Sequence, residues 1–176
     1  MGVGITSAAL ASIVALTVAI AILFRRPRRD LYVYFSAFAF SLFLWHAASL
    51  VSMFTGTVVG LVQSISALFI PPTTVLFFRE LLRYEVAITR GLVPATFALS
   101  GFGLLVTFTP WGDTIAFRAI VMLYTGAVIV LMGKALRDRM RHARSENDKK
   151  RLRYLLYGGV ITAVLASGGV YGGVIT

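Results

Sequence analysis

Residues 2–30 read GVGITSAALASIVALTVAIAILFRRPRRD. Positions 2–24 carry no charge, and four arginines follow within positions 25–29. A membrane-spanning helix needs about 20 mainly apolar residues to cross about 30 Å of hydrocarbon. Pro27 cannot continue a helix. The stretch therefore predicts one spanning helix that stops at a cationic boundary.

The same arrangement recurs along the 176 residues. Sixteen of the seventeen Lys and Arg residues fall in three gaps between apolar runs. The first gap holds Arg25, Arg26, Arg28 and Arg29, and the second holds Arg79, Arg83 and Arg90. The third holds Lys134, Arg137, Arg139, Arg141, Arg144, Lys149, Lys150, Arg151 and Arg153, and only Arg118 lies elsewhere. Lys and Arg are retained on the cytoplasmic side during insertion. The pattern predicts an all-α, polytopic transmembrane bundle of about six spans with its N-terminus outside, integral to a bacterial inner membrane.

Composition agrees. The chain is 58% hydrophobic and its mean hydropathy is +0.84. Charged residues make up 14%, against about 25% in soluble domains. A net charge of +10 raises nucleic acid as a partner, but the cations are confined to short juxtamembrane loops. There they attract anionic lipid at the cytoplasmic face instead. With no cysteine there is no disulfide framework or thiol chemistry. MGVGIT matches a myristoylation pattern formally, but a helix begins at once behind it.

One transmembrane domain is expected over 1–176, with helices at about 2–24, 31–54, 58–82, 88–109, 115–136 and 154–176. The second is aromatic-rich, and a very short turn at 55–57 makes the second and third an antiparallel hairpin. Pro71 and Pro72 interrupt the third near its middle and predict a kink, read either as a hinge or as a static bend. Pro110-Trp111-Gly112-Asp113 forms an outer loop, with Trp111 suited to the interface. The fifth helix is expected to continue past the membrane into 137–144. Ser145, with Asp148 three positions on, predicts a capped restart. The apolar ending VYGGVIT predicts a fragment of a longer chain.

Enzyme chemistry finds no support. HExxH, phosphate-loop and glycine-fingerprint motifs are all missing from the sequence, and no metal or cofactor is implied. His142 lies among cations and reads as solvated. The best polar set lies in the outer half of the bundle. At helical rise, His46 is about 12 Å from the outer end of its helix, Gln63 about 8 Å, Arg118 about 5 Å and Tyr124 about 14 Å, with Ser100 at similar depth. Polar groups within a membrane usually face the bundle interior. Together these five could line a pocket for a small extracellular or lipid ligand. The other reading is structural: Arg118 snorkels to Asp113, while His46 and Gln63 bond between helices. Gly168 with Gly172 and Gly169 with Gly173 give two small-xxx-small patterns. They suit close packing within the bundle or a face for a homodimer or larger membrane complex.

In order and spacing the chain resembles the N-terminal seven-transmembrane input region of bacterial sensor histidine kinases and related diguanylate cyclases. The likeness rests on RRPRRDLYVYFSAFAFSLFLWHAASL (25–50), PPTTVLFFRELLR (71–83), KKRLRYLLYGGVIT (149–162) and the outside-first topology. It implies a truncation after about six helices and a sensor or input module without catalysis of its own. In such a module the cationic stretch of Arg137, Arg139, Arg141, Arg144, Lys149, Lys150, Arg151 and Arg153 would contact lipid or an output domain. The rival readings are a small transporter of three plus three helices and an assembly subunit of a membrane complex.

Overall fold

Five α-helices follow one another in the computed structural model, which describes residues 2–24, 29–55, 59–82, 87–142, 145–147, 149, 150 and 153. They are α1 (Gly2–Leu23), α2 (Asp30–Thr55), α3 (Val59–Leu81), α4 (Ala87–Thr107) and α5 (Ile115–His142). A short 3₁₀ turn, Pro110–Asp113, joins the last two. No strand occurs among the described residues. This is the form hydrocarbon demands, because a helix satisfies its backbone polar groups within one segment. Among the described residues three stretches, Asp30–Val51, Leu61–Leu81 and Ile115–His142, are long and apolar enough to cross a membrane. The apolar parts of the other two, Ala9–Leu23 and Gly91–Thr107, are shorter.

The observed boundaries fall within two residues of the expected ones, apart from the C-terminal end of α5. That helix runs on through the cationic stretch to His142, as anticipated. Beyond it Glu146, Asn147, Lys149, Lys150 and Arg153 are helical, and the Lys149 N–H donates to the Ser145 carbonyl at 3.1 Å. The expected cap by Asp148, the arginines 25, 26 and 28, and the sixth helix at 154–176 lie outside the described residues. α3 is a continuous helix through Pro71 and Pro72.

The surface is apolar and much of the interior is polar. Leu10, Ile13, Phe97, Phe102, Leu105, Leu123 and Val130 are exposed, whereas Ser36, Ser41, Ser66, Thr74, Thr96, Ser100 and Thr107 are buried. In water such a surface would be an aggregation hazard. In lipid it is the solvated face, and small hydroxyl residues let helices approach closely. Many of these hydroxyls return to the carbonyl four residues back: Ser41 to Ala37 at 2.9 Å, Ser66 to Val62 at 2.7 Å and Thr107 to Gly103 at 2.8 Å. Ser36 instead crosses to the Ala19 carbonyl at 2.8 Å and ties α2 to α1.

α3 is the central element. α2, α4 and α5 all pack against it, and α1 packs on α2. The α2–α3 pair is antiparallel, since contacts join residues equally distant in sequence from Gly56. Gln63 Nε2 donates to Ser49 Oγ at 3.0 Å at one end, and the Phe35 and Phe77 rings lie 5.0 Å apart at the other. α3 and α5 run parallel through three successive apolar layers. These are Leu68 with Phe117 and Val121, Val75 with Val128 and Met132, and Leu82 with Ala135 and Leu136. Leu68, Val75 and Leu82 recur every seven residues, as do Val121, Val128 and Ala135. That repeat keeps one seam facing a partner helix, as in coiled coils.

The loop into α5 is built around Gly112, which is buried. A Cβ there would drive into the Thr107 backbone. Trp111 is 70% exposed, as an interfacial ring should be. Thr114 donates to the Trp111 carbonyl at 2.7 Å and accepts the Phe117 N–H at 3.2 Å, so it caps α5.

Candidate functional site

Proline has no amide hydrogen, so it leaves the carbonyl four residues earlier without its helical donor. Pro72 does this to Leu68. In lipid an orphaned carbonyl is costly, and a hydroxyl from a neighbouring helix can replace the missing donor. Ser100 on α4 does so, its Oγ donating to the Leu68 carbonyl at 2.7 Å. Pro71 and Pro72 are themselves buried at this level. On the far side of the pair, Thr74 donates to the Ile70 carbonyl at 2.6 Å, and the Thr73 hydroxyl lies 2.8 Å from the Phe69 carbonyl.

The bond extends to a third helix. Ser100 Oγ lies 3.2 Å from the Tyr124 hydroxyl on α5, which reaches the Thr96 carbonyl of α4 at 3.0 Å. Each hydroxyl has one proton. With the Ser100 proton on the Leu68 carbonyl, the Tyr124 proton is the one shared between Ser100 Oγ and the Thr96 carbonyl. Leu68, Ser100, Thr96 and Tyr124 therefore form one polar junction across α3, α4 and α5. It sits between the first two apolar layers, and Tyr124 also packs against Val75, Val128 and Met132. On the α4 side, Gly103 lets the helices close, for a Cβ there would come within 2.6 Å of Leu68 Cδ2.

Of the five pocket candidates, Ser100 and Tyr124 are brought together. Gln63 is bonded to Ser49, and His46 lies three positions before Ser49 on the same face of α2. The His46 ring stands 5.3 Å from that of Trp45. Arg118 belongs to neither group. It meets Asp113 at 3.9 Å, with side chains 48% and 86% exposed. An exposed pair of this kind contributes about 0–1 kcal/mol. The polar residues expected at one level thus divide into three local sets. Thr96 and the Leu68 carbonyl were not anticipated. The position of Pro72 was the signal for the carbonyl, and Thr96 lies one turn before Ser100.

The cationic end has its own geometry. Arg137, Met140 and Arg141 of α5 line a cleft of about 230 Å³ with Lys149 and Arg153. Lys149 Nζ contacts Glu146 Oε1 at 3.1 Å, and His142 Nδ1 lies 2.8 Å from the Asp138 carbonyl oxygen. Arg139 and Lys150 do not line the cleft. Arg144, Arg151, Gly168, Gly169, Gly172 and Gly173 lie outside the described residues. Comparison with protein-family models, with curated proteins and with solved structures finds no match.

Proposed function

We propose that this chain is the membrane-embedded input module of a bacterial signal-transduction protein, without catalysis of its own. In this reading it crosses the inner membrane about six times from an outside N-terminus, with α1 and α4 spanning alongside the three longer helices. A stimulus from outside or from the bilayer acts on the outer half of the bundle, around His46, Gln63 and Ser49. The response travels along α3 and α5 to the cationic side.

The observation that carries this reading is the bond from Ser100 to the Leu68 carbonyl. α3 is bonded to α4 at the Leu68 carbonyl, whose helical donor Pro72 removes, and Tyr124 of α5 joins the same junction. Such a contact has two arrangements, made and broken, and a ligand that prefers one arrangement shifts the population. The alternative of a three-plus-three transporter draws its support from discontinuous helices in matching positions. α3 runs unbroken through its proline pair, so we favour the sensor.

The test uses the intact protein in cells. Ser100→Ala should change basal output several-fold at normal membrane level, and a spin-label distance between the cationic ends of α3 and α5 should shift with it. Unchanged output together with an unchanged distance would overturn the proposal. Solute uptake by vesicles containing only this chain would move the assignment to the transporter.

A further inference from the structure

α5 is longer than a bilayer requires. Its 28 residues measure about 42 Å, against about 30 Å of hydrocarbon. With the interfacial Trp111 turn marking one boundary, Arg137 and Arg141 lie about 33 and 39 Å along the axis from Ile115. At the average tilt of about 20°, these become about 31 and 37 Å across the membrane. The headgroup layer occupies roughly the 5–7 Å beyond the hydrocarbon on each side. Both guanidinium groups therefore originate at the depth of lipid phosphates, not in bulk water.

Their arrangement is selective. Arg137 and Arg141 are four apart on α5 and share a face, and Lys149 and Arg153 from further along the chain meet them at the cleft. The two pairs line one cleft together with the apolar side chain of Met140. Four cations confined together repel one another. Among the described residues the only carboxylate bonded to one of them is Glu146, on Lys149, in an exposed and weak pair. The planar guanidinium fork matches two phosphate oxygens at once. Met140 and the arginine stems offer apolar surface to the glycerol end of a lipid.

We propose that the cleft of Arg137, Met140, Arg141, Lys149 and Arg153 binds the headgroup of an anionic phospholipid that carries two phosphate charges. This is a site with defined ligands, beyond the diffuse attraction that any basic loop exerts, and it stands whether or not the chain is a sensor.

The intact protein is reconstituted in nanodiscs of phosphatidylcholine containing either cardiolipin or phosphatidylglycerol, matched for total charge. Lipid retained through detergent exchange is counted by native mass spectrometry. Cardiolipin should be retained preferentially, and R137Q/R141Q should reduce that retention about tenfold. K134Q/K150Q, which removes the same charge beside the cleft, should leave it intact. R137K/R141K keeps the charge but not the fork, and should fall between; it serves as the readout if the glutamine variant fails to fold. Equal loss in the cleft and control variants would reduce the effect to surface charge and overturn the site. Binding of soluble pyrophosphate without lipid retention would overturn the lipid assignment in favour of a soluble anion.

Discussion

α3 meets α5 and α4 in different ways. Toward α5 it offers Leu68, Val75 and Leu82, three apolar side chains at seven-residue spacing, each packed into its own layer. Toward α4, whose Leu92, Val93, Leu104 and Val106 join the first two of those layers, it adds a bare carbonyl, met by one hydroxyl, and room for a glycine. The first contact is extended and made of similar parts, so a slip of one layer replaces apolar contacts with apolar contacts. The hydroxyl bond in the second has a single partner and admits no slip. In lipid, where tails are as apolar as leucine, packing supplies most of the adhesion and the polar bond sets the register.

Breaking the seam should have the largest effect. Met132 is buried in the middle layer, and Met132→Ala should cost about 2–5 kcal/mol of stability in detergent unfolding titrations. A loss well under this range would mean that the layers collapse onto the cavity and that the seam is looser than its spacing suggests. Ser100→Ala should cost about 1 kcal/mol by leaving the Leu68 carbonyl without a donor. The sharper form is a double-mutant cycle. Pro72→Ala restores an N–H at position 72 that can reach the same carbonyl, so Ser100→Ala should cost much less in that background. Additive costs would sink the idea that the hydroxyl stands in for the proline. Tyr124→Phe should cost about 0.5 kcal/mol, since Ser100 keeps its own acceptor and only the shared proton is lost. Arg118→Ala should change stability by less than about 0.5 kcal/mol, and salt should not alter that result. A larger loss would return Arg118 to the bundle interior.

The helices were legible because lipid imposes length and apolarity on each segment and the cations mark the ends. The extension of α5 to His142 was legible for a different reason: no proline or glycine interrupts the run from Lys134 onward. Which helices touch was not legible. Val128 is buried and Val130 exposed on the same helix, yet both are valines in an apolar run. In a soluble bundle the exposed one would be polar and would mark the face. Depth counting did place Ser100 and Tyr124 at one level. For Arg118 the structural alternative is the one observed, a side chain reaching out to Asp113, because a long side chain reaches a surface that its Cα does not. The Leu68 carbonyl escaped because a backbone atom has no letter in the sequence, although Pro72 points to it by subtraction.

The junction at Pro72 also has a consequence for biosynthesis. Ser100 is made 28 residues after Pro72, and Tyr124 later still. At about 5–20 residues per second, α3 waits roughly 1–6 seconds before its missing donor exists. In a chain inserted helix by helix, the Leu68 carbonyl would need shelter over that interval, from water at the insertion site or from the insertion machinery itself. Release of α3 into lipid would then be best delayed until α4 has followed it, so that the two helices leave the insertion site as a pair.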